Sequence, residues 1–544
     1  MHGNRCLLAA ILAAAAVLRL YPIWFGLPHL YARPDEEVAV GKAVGVILRG
    51  EFNPKFFHWP SLTFYLFAAL FGITRLLRRV AGLDPALTGA QHLVIARACV
   101  ACAGTATVYV LYRIARRVGD QTGVRPGSNQ GQTGVRPGSD PKSTGLIAAL
   151  FLAVAVLHVR DSHFAMTDIL MTLFVTISLA LVLRGTDSED RRLLWFGAAG
   201  AAGGLAASTK YNGAAVLAAM AGAQIVLWSP SWRGVLSIRS WIPSLVFGAL
   251  FAAAFVIATP FAILDYTSFK SDLVYDFTHL SLGHTIDLGI GWIYHATHSL
   301  PYGTGFAVFG AAFVGLVPLV RHHPRHAFVL LVFFATFYIG IGNGRTVFFR
   351  YVLPLVPLVC LFAAVAVRHA AEWLSRRFRI QRGVVIASLS LLVAAPSAVN
   401  AVWFDVVLAR RDTRAIAREW LVPQLTPAST LHDAGGEYAR LDLGGLRYHR
   451  WYFDESADSF GHPVGETPDW LVLPESPVSS YTSVPLALRL LAARDYDLVK
   501  VIRGTGTRRS VAMYDQQDAF FMPFSGFSSV DRPGPTLRIY RRRN

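Results

Sequence analysis

Three carboxylates follow one another in the stretch RPDEE, at the end of the first long apolar run of the chain. Asp35, Glu36 and Glu37 come directly after Arg33 and Pro34. A carboxylate can remove the proton from a reacting hydroxyl group. Acids behind a proline also suit the first turn of a helix, where the helix dipole favours negative charge. The stretch therefore predicts a helix start, a general base or both, with Asp35 and Glu36 as candidate catalytic residues.

A second acidic stretch, RDSHFAMTD, lies further along the chain between two apolar runs. It contains Arg160, His163 and, at its end, Asp168. Asp168 begins the next apolar run, where an aspartate can cap a helix. We interpret Asp168 as a helix cap, a functional acid or both. Asp168 is thus the third candidate catalytic residue, and Arg160 and His163 are candidates for substrate binding.

Cationic and aromatic side chains stand at other breaks between apolar runs. The stretches concerned are STKYNG, GNGRTVFFRYVLP and FHWPSL. Lysine and arginine bind phosphate through charge-assisted hydrogen bonds. The candidate phosphate ligands are Lys210, Arg345 and Arg350, and the further candidates for substrate binding are His58 and Tyr211. Each residue alone would suit an interfacial anchor, but together they predict a polar site at one membrane face.

The elements that must position these residues are apolar helices. Hydrophobic residues make up 53% of the 544 residues and charged residues only 16%, against about 25% charged residues in soluble domains. Many apolar runs approach the roughly 20 residues that span a bilayer. We therefore predict a polytopic α-helical membrane protein with about 11 transmembrane helices. The candidate spans are residues 6–27, 90–112, 144–160, 168–184, 193–208, 212–228, 241–262, 304–320, 327–342, 351–367 and 383–403.

The distribution of charge predicts the orientation of the chain. The net charge is +17, but residues 404–544 hold 18 basic and 17 acidic side chains, so the excess lies in the apolar part. Arginine-rich loops stay on the cytoplasmic side of a membrane. We expect a multi-pass protein of the plasma (inner) membrane, with its N-terminus in the cytoplasm. This excess of charge does not indicate nucleic-acid binding.

The segment 60–77 determines whether the two acidic stretches face the same side. If it crosses the membrane, the basic loop 113–142, which carries QTGVRPGS twice, lies outside. Because such loops remain in the cytoplasm, we interpret 60–77 as a helix lying along the outer surface. Asp35 and Asp168 then share the outer face. Arg19, late in the first span, is expected to extend toward the outer interface.

The end of the chain has a different character. Residues 404–544 contain short β-like runs (STLHDAG, DWLVLPE, YDLVKVI and LRIYR) between helical patterns (DTRAIAREWL and PLALRLLAA). Strands that alternate with helices predict a small α/β domain. We therefore divide the chain into a transmembrane domain, 1–403, and an extracytoplasmic α/β domain, 404–544.

Carboxylates and cations at an outer membrane interface suit glycosyl transfer from a lipid-linked sugar. The phosphate of the donor needs lysine, arginine or a metal ion, and the acceptor hydroxyl needs a base. Attack opposite the leaving phosphate would invert the anomeric centre. The sequence identifies no certain cofactor; a divalent ion such as Mg²⁺ or Mn²⁺ would also suit the phosphate.

The motifs together resemble those of the C-superfamily glycosyltransferases, specifically the polyprenyl-phosphate-sugar enzymes of family 39 and their relatives. This group includes protein O-mannosyltransferases and the aminoarabinose transferases of lipid A. The resemblance covers about residues 1–370 through RPDEE, HWPSLTFYL, RDSHFAMTD, STKYNG and RTVFFRYVLPLVP. It implies that the catalytic acid of the first outer loop is Asp35, with Glu36 adjacent, and that the second-loop acid is Asp168. Phe57-His58 stands where the aminoarabinose enzymes have Glu-Lys, and no such ligand is carried over.

The resemblance implies an inverting membrane transferase of the cell envelope, active in glycosylation. The expected partners are a polyprenyl-phosphate-linked sugar, a protein or glycolipid acceptor and the lipid bilayer. The transferred group would be a hexosyl or pentosyl unit. Two alternatives remain at this point: a flippase or transporter of lipid-linked sugars, and a glycan polymerase or ligase. A flippase would be expected to show internal repeats and helices broken at mid-depth, and the sequence shows no such repeat.

Overall fold

The computed structural model describes residues 2–120, 141–229, 232–460, 466–505 and 512–543. The two QTGVRPGS copies lie outside these described residues. The chain divides into two compact units. The first comprises Met1–Leu20, Ala39–Ala86 and Ile95–Ala401, and the second comprises Tyr21–Val38, Leu87–Val94 and Val402–Asn544. The predicted domain boundary at 403–404 falls inside a long helix, and the second unit also takes two segments from the first hundred residues.

Helices dominate the chain as far as residue 408. In chain order they are α1 (His2–Leu20), α2 (Glu36–Arg49), α3 (Leu62–Val80), α4 (Gly89–Asp120), α5 (Pro141–Val154), α6 (Val156–Asp161), α7 (Asp168–Asp187), α8 (Arg192–Thr209), α9 (Val216–Trp228), α10 (Ile238–Ala258), α11 (Phe261–Leu264), α12 (Tyr266–Leu282), α13 (Gly291–Tyr294), α14 (Leu300–Thr304), α15 (Phe306–His322), α16 (Pro324–Gly342), α17 (Val356–Phe378) and α18 (Arg382–Leu408). Short 3₁₀ segments precede α9 (Tyr211–Ala215) and α17 (Phe349–Leu355).

Among the described residues, seven helical stretches are long and apolar enough to cross a membrane. They become eight if the bent pair Gly291–Thr304 and Phe306–His322, which meets at 111°, forms one span. The chain is thus a multi-pass helical membrane protein, whereas the expected count of 11 spans is not confirmed. The helix α3, expected to lie along the surface, does not meet the criteria of length, hydropathy and charge that define these stretches.

Two expected spans differ from the helices that form. The first was expected over 6–27, but α1 ends at Leu20. The span expected over 144–160 is broken at Ala155, which is extended and separates α5 from α6. This break leaves backbone carbonyls without helical partners at the end of α5.

Arg19 occupies the break at Ala155 and does not extend toward an interface as expected. Its side chain is fully buried. One guanidinium nitrogen donates to the carbonyl oxygens of Ala15 and Ala153, each at 3.0 Å, and the other donates to that of Leu152 at 2.9 Å. The carbonyl groups that α5 leaves open at its end therefore stabilise this buried cation.

Glycines allow α8 to lie directly against α10. A Cβ atom at Gly200 would lie 2.1 Å from the carbonyl oxygen of Phe247, and one at Gly204 would lie 2.2 Å from that of Phe251. Both distances are far shorter than any real contact of a Cβ atom, so a side chain at either position would separate the helices. The small-xxx-small spacing is typical of helix pairs inside membranes.

The second unit contains a five-stranded sheet in the order β2-β1-β5-β7-β6. Its elements are α19 (Thr413–Leu421), β1 (Thr430–Asp433), β2 (His449–Arg450), β3 (Phe453–Asp454), β4 (Ser459–Phe460), β5 (Trp470–Glu475), α20 (Leu486–Asp495), β6 (Tyr496–Ile502) and β7 (Thr536–Arg542). β1 is parallel to β2 and β5, and β7 is antiparallel to β5 and β6. The four predicted β-like runs become β1, β5, β6 and β7, and the two helical patterns become α19 and α20.

Candidate functional site

A cavity of about 350 Å³ in the first unit collects four of the residues predicted from the sequence. They are His58, Lys210, Tyr211 and Arg350. They come from four places in the fold: the loop before α3, the end of α8, and the 3₁₀ segments before α9 and α17. Lys210 directly follows α8, and Tyr211 and Arg350 lie in the 3₁₀ segments. These side chains are thus found where regular helices begin or end. The cavity therefore combines cations with aromatic walls, as a site for a phosphate-bearing apolar ligand requires.

An ion pair lies at one side of this cavity. The Lys210 ammonium group donates to Asp168 Oδ1 at 2.7 Å and lies 4.8 Å from the centroid of the Tyr351 ring. Asp168 is 1% exposed and forms the first residue of α7, and its Oδ2 atom has no hydrogen-bond partner in the described chain. The N-cap position of α7 belongs to Thr167, whose side chain makes no capping hydrogen bond, and the side chain of Asp168 binds Lys210.

A second pair of ionisable groups fixes the loop before α3. His58 Nδ1 lies 2.9 Å from Asp276 Oδ1, and both residues line the cavity. The neighbouring backbone is also held, because the Phe57 amide donates to Asp272 Oδ2 at 2.7 Å and Tyr211 donates to the Phe57 carbonyl at 2.6 Å. Burial raises the pKa of Asp276 to about 6, against the hydrogen bond to His58, which lowers the pKa.

Three predicted residues of the first unit lie away from the cavity lining. Arg345 is 55% exposed and pairs with Asp287. Arg160 is buried and forms an ion pair with Asp161 at 3.1 Å. His163 is buried and its Nδ1 atom lies 3.0 Å from the backbone oxygen of Val159. The structure thus places Arg160 and His163 in packed surroundings and Arg345 at the surface; their assignment to phosphate and substrate binding remains a prediction.

The carboxylates of the first acidic stretch belong to the second unit. Helix α2 begins at Glu36, one residue later than Asp35, so the expectation that all three acids occupy its first turn is wrong for Asp35. Asp35 has a φ of 72° and lies in the left-handed region. Few residues other than glycine adopt this conformation, although aspartate and asparagine tolerate it better than most, and it costs free energy that the surroundings must offset. Glu36 is fully buried, and Glu37 accepts a hydrogen bond from Tyr438 at 3.3 Å.

Helix α12 contributes polar residues that were not predicted from the sequence. Asp272, Asp276 and His279 lie on this helix, and the last two line the cavity. The sequence YTSFKSDLVYDFTHL places Asp272, Asp276 and His279 at intervals of four and three residues, which bring side chains to one face of a helix. Such a polar face next to an apolar span could have indicated a site.

The residues do not form a recognisable metal centre. Within the described parts of the chain, no group of three or more histidine, cysteine, aspartate or glutamate side chains is arranged to hold a metal ion. Lys210 and Arg350 instead provide positive charge at the cavity. The described residues thus offer no such set of ligands, and a role for Mg²⁺ or Mn²⁺ remains a prediction.

A family model described as dolichyl-phosphate-mannose-protein mannosyltransferase matches residues 135–272. This range contains Asp168, Lys210 and Tyr211 but not Asp35. The match confirms the resemblance to the C-superfamily glycosyltransferases over this part of the chain. A search of curated proteins found no match.

A comparison with solved structures found several matches, each with low sequence identity and a TM-score below 0.5. ArnT from Cupriavidus metallidurans in the apo state is 15% identical, with 98% of this chain and 97% of that chain covered and a TM-score of 0.46. AglB from Archaeoglobus fulgidus is 13% identical over 78% of this chain, with a TM-score of 0.44, and this chain spans only 58% of its length. The Pmt1-Pmt2 complex of S. cerevisiae is 18% identical, with 49% of this chain and 34% of that chain covered and a TM-score of 0.34.

Proposed function

We propose that this chain is a membrane glycosyltransferase that moves a hexosyl or pentosyl group from a polyprenyl-phosphate donor to an acceptor hydroxyl. The observation that supports this most is the cavity in which Lys210 and Arg350 stand among aromatic side chains. Such a cavity suits a phosphate attached to an apolar chain, because the cations bind the phosphate and the aromatic rings contact the lipid.

The proposed reaction is an inverting transfer that uses one base and two phosphate-binding cations. The acceptor oxygen attacks the anomeric carbon as the bond from that carbon to the phosphate oxygen breaks, so the sugar is inverted. The proton of the acceptor passes to the carboxylate of Asp35, with Glu36 beside it in sequence. The departing polyprenyl phosphate gains negative charge, which Lys210 and Arg350 stabilise. Asp168 keeps the Lys210 ammonium group in place through the 2.7 Å contact.

Release of polyprenyl phosphate tests the proposal directly. The purified full chain in detergent is mixed with a polyprenyl-phosphate sugar and candidate protein or glycolipid acceptors, and both lipid and sugar products are measured. Transfer yields equal amounts of free polyprenyl phosphate and glycosylated acceptor. A flippase or transporter would release no polyprenyl phosphate. A polymerase or ligase would extend a glycan that already exists, and would leave protein and glycolipid acceptors unmodified.

The proposed orientation places the acidic stretches and the C-terminal domain outside the plasma membrane. We expect a membrane-impermeant thiol reagent to label Ala86→Cys, just after α3, and Ser480→Cys, in the C-terminal domain, in intact cells. Glu189→Cys, between α7 and α8, should be protected. These variants are made without the four native cysteines. Protection of Ala86→Cys together with labelling of Glu189→Cys would show that α3 crosses the membrane, and would contradict a shared outer face.

A further inference from the structure

Residues of the C-terminal domain surround the first acidic stretch within the second unit. Arg33 is fully buried, and one of its guanidinium nitrogens lies 2.7 Å from Asp518 Oδ1, which is almost as buried. The guanidinium group also lies 5.7 Å from the centroid of the Phe520 ring. A buried ion pair is highly sensitive to the loss of one partner, because the other charge is then left in an apolar environment. The position of Arg33 is therefore fixed by the C-terminal domain.

The backbone before Arg33 is held by a second buried arginine. Arg414 donates to the carbonyl oxygen of Tyr31 at 3.4 Å and to that of Ala32 at 3.3 Å. Its own guanidinium group is oriented by Asp412, which accepts from it at 2.7 and 2.8 Å. Charged donors that are oriented in this way make stronger hydrogen bonds than neutral groups. The C-terminal domain thus holds the two residues before Arg33.

The chain is held again on the other side of Asp35. The Tyr438 hydroxyl group donates to Glu37 Oε1 at 3.3 Å. The Tyr438 backbone oxygen in turn accepts a hydrogen bond from Arg414, so one arginine connects both sides of the acidic stretch. Burial raises the pKa of Glu37, as expected where a carboxylate has lost part of its contact with water.

Asp35 lies between these anchors with its backbone in the left-handed region, at a φ of 72°. This conformation costs a residue with a side chain free energy, although less for aspartate than for most, and contacts of the neighbouring residues can offset that cost. Arg33, two residues before Asp35, and Glu37, two residues after it, both have partners in the C-terminal domain. The C-terminal domain therefore holds the chain on both sides of Asp35.

We propose that Asp518 and Tyr438 are positioning residues, through which the C-terminal domain sets the conformation of Asp35. This inference rests on the proposed role of Asp35 as the base. It assigns the C-terminal domain a part in the reaction although none of its residues need touch the substrate. The competing view is that these contacts only stabilise the fold. The two views make different predictions for a variant that lacks one contact but remains folded. Under the positioning view, the acidic stretch of such a variant is less well held.

Hydrogen–deuterium exchange in the full-length protein tests the positioning without any substrate. We expect backbone amides of residues 31–38 to exchange at least about tenfold faster in Asp518→Asn, and severalfold faster in Tyr438→Phe, because local opening becomes easier. Glu475→Gln is the matched control. Glu475 pairs with Arg538 on an exposed part of the sheet, so its loss removes one carboxylate charge and should leave this exchange unchanged. Exchange at the parent rate in both test variants would overturn the inference.

Turnover provides the second measurement. We expect kcat per donor-binding site to fall roughly tenfold in Tyr438→Phe, because the base is less well placed, while the KM for the donor stays the same. A purely structural contact would lower the amount of protein that binds donor and leave kcat per site unchanged, and this result would overturn the inference. If Asp518→Asn does not fold, Tyr438→Phe decides, since it removes only one oxygen atom.

The variant Asp35→Asn separates this inference from the function on which it rests. Normal transfer by Asp35→Asn would refute Asp35 as the base, and the inference with it, whatever the exchange rates. Inactive Asp35→Asn, together with parent-like exchange and turnover in Tyr438→Phe and Asp518→Asn, would refute only the positioning role. Inactive Asp35→Asn with faster exchange and lower turnover in the two variants would support both.

Discussion

Asp168 and Asp35 are both candidate acids, but the molecule holds them in different ways. Asp168 begins a regular helix, and its Oδ1 atom pairs with Lys210 at 2.7 Å. Asp35 precedes a helix in a left-handed conformation, at a φ of 72°, between residues that the C-terminal domain anchors. The short contact with the Lys210 ammonium group makes Asp168 suited to orient a cation. Strain is more often found at groups that act in the reaction, as we propose for Asp35.

The substitution Asp35→Asn gives the largest expected effect. It keeps the shape of the side chain and removes the group that takes the proton, so we expect kcat to fall by ~10²–10⁴-fold. Release of polyprenyl phosphate measures it, and donor binding should stay near that of the parent. Asp168→Asn should instead weaken donor binding, because Lys210 loses its partner.

The opposite result would contradict these roles of the two acids. If Asp168→Asn abolished turnover with normal donor binding while Asp35→Asn remained active, Asp168 would be the base, and the left-handed conformation of Asp35 would be only a feature of the helix start. If both variants lost turnover with normal donor binding, the two acids would act in the same step.

The fold was predictable where one local pattern determines it. Apolar runs identified most of the long helices, and alternating short runs identified β1, β5, β6 and β7. The break at Ala155 was not predictable, because residues 145–157 around it are continuously apolar and the break depends on Arg19, which is distant in sequence. The contacts on either side of Asp35 likewise join residues that are 401 and 485 positions apart in sequence.

Loss of a cation at the cavity should have the next largest effect. We expect Lys210→Ala and Arg350→Ala each to weaken binding of polyprenyl phosphate by ~1.5–3 kcal/mol, since each removes a charged hydrogen-bond donor. This corresponds to about 12- to 140-fold in Kd. Arg345→Ala serves as the comparison, because Arg345 is 55% exposed and pairs with Asp287 away from the cavity lining.

Titration of the lipid phosphate measures the three affinities. An equal loss of affinity in all three variants would support a role for Arg345 in binding the phosphate, as predicted from the sequence. Parent-like affinity of Lys210→Ala and Arg350→Ala would place the phosphate elsewhere and remove the main support for the cavity.

The site was less predictable than the fold, and for a physical reason. His58, Lys210, Tyr211 and Arg350 were found because charged and aromatic residues at breaks between spans are expensive unless they have a use. Asp276 was missed because α12 is not itself an apolar span. Charged residues are not unusual in such a helix, so its polar face did not indicate a site. Sequence patterns thus identified the groups at interruptions of apolar runs and not the helix that lies beside them.

The smallest effect concerns the acid that the sequence did not identify. Burial raises the pKa of Asp276 to about 6, and the charges of His58 and Lys210 act against this shift. Above that pH the carboxylate is charged and should repel the phosphate of the donor. As the pH falls through about 6, protonation removes this repulsion. We therefore expect the affinity for a phosphodiester donor analogue, whose own charge is constant in this range, to rise about three- to tenfold from pH 7.5 to pH 5.

Asp276→Asn isolates this carboxylate while leaving His58 in place. The variant should bind the analogue at pH 7.5 about as tightly as the parent does at pH 5, and its affinity should change little with pH. A parent whose affinity is constant between pH 5 and 7.5 would show that Asp276 does not face the phosphate. A variant that keeps the full pH dependence would assign it to another group. Either result would limit Asp276 to holding the loop at His58. Asp276 would then act only through its neighbour, as we propose for Asp518, which acts on the acidic stretch through Arg33.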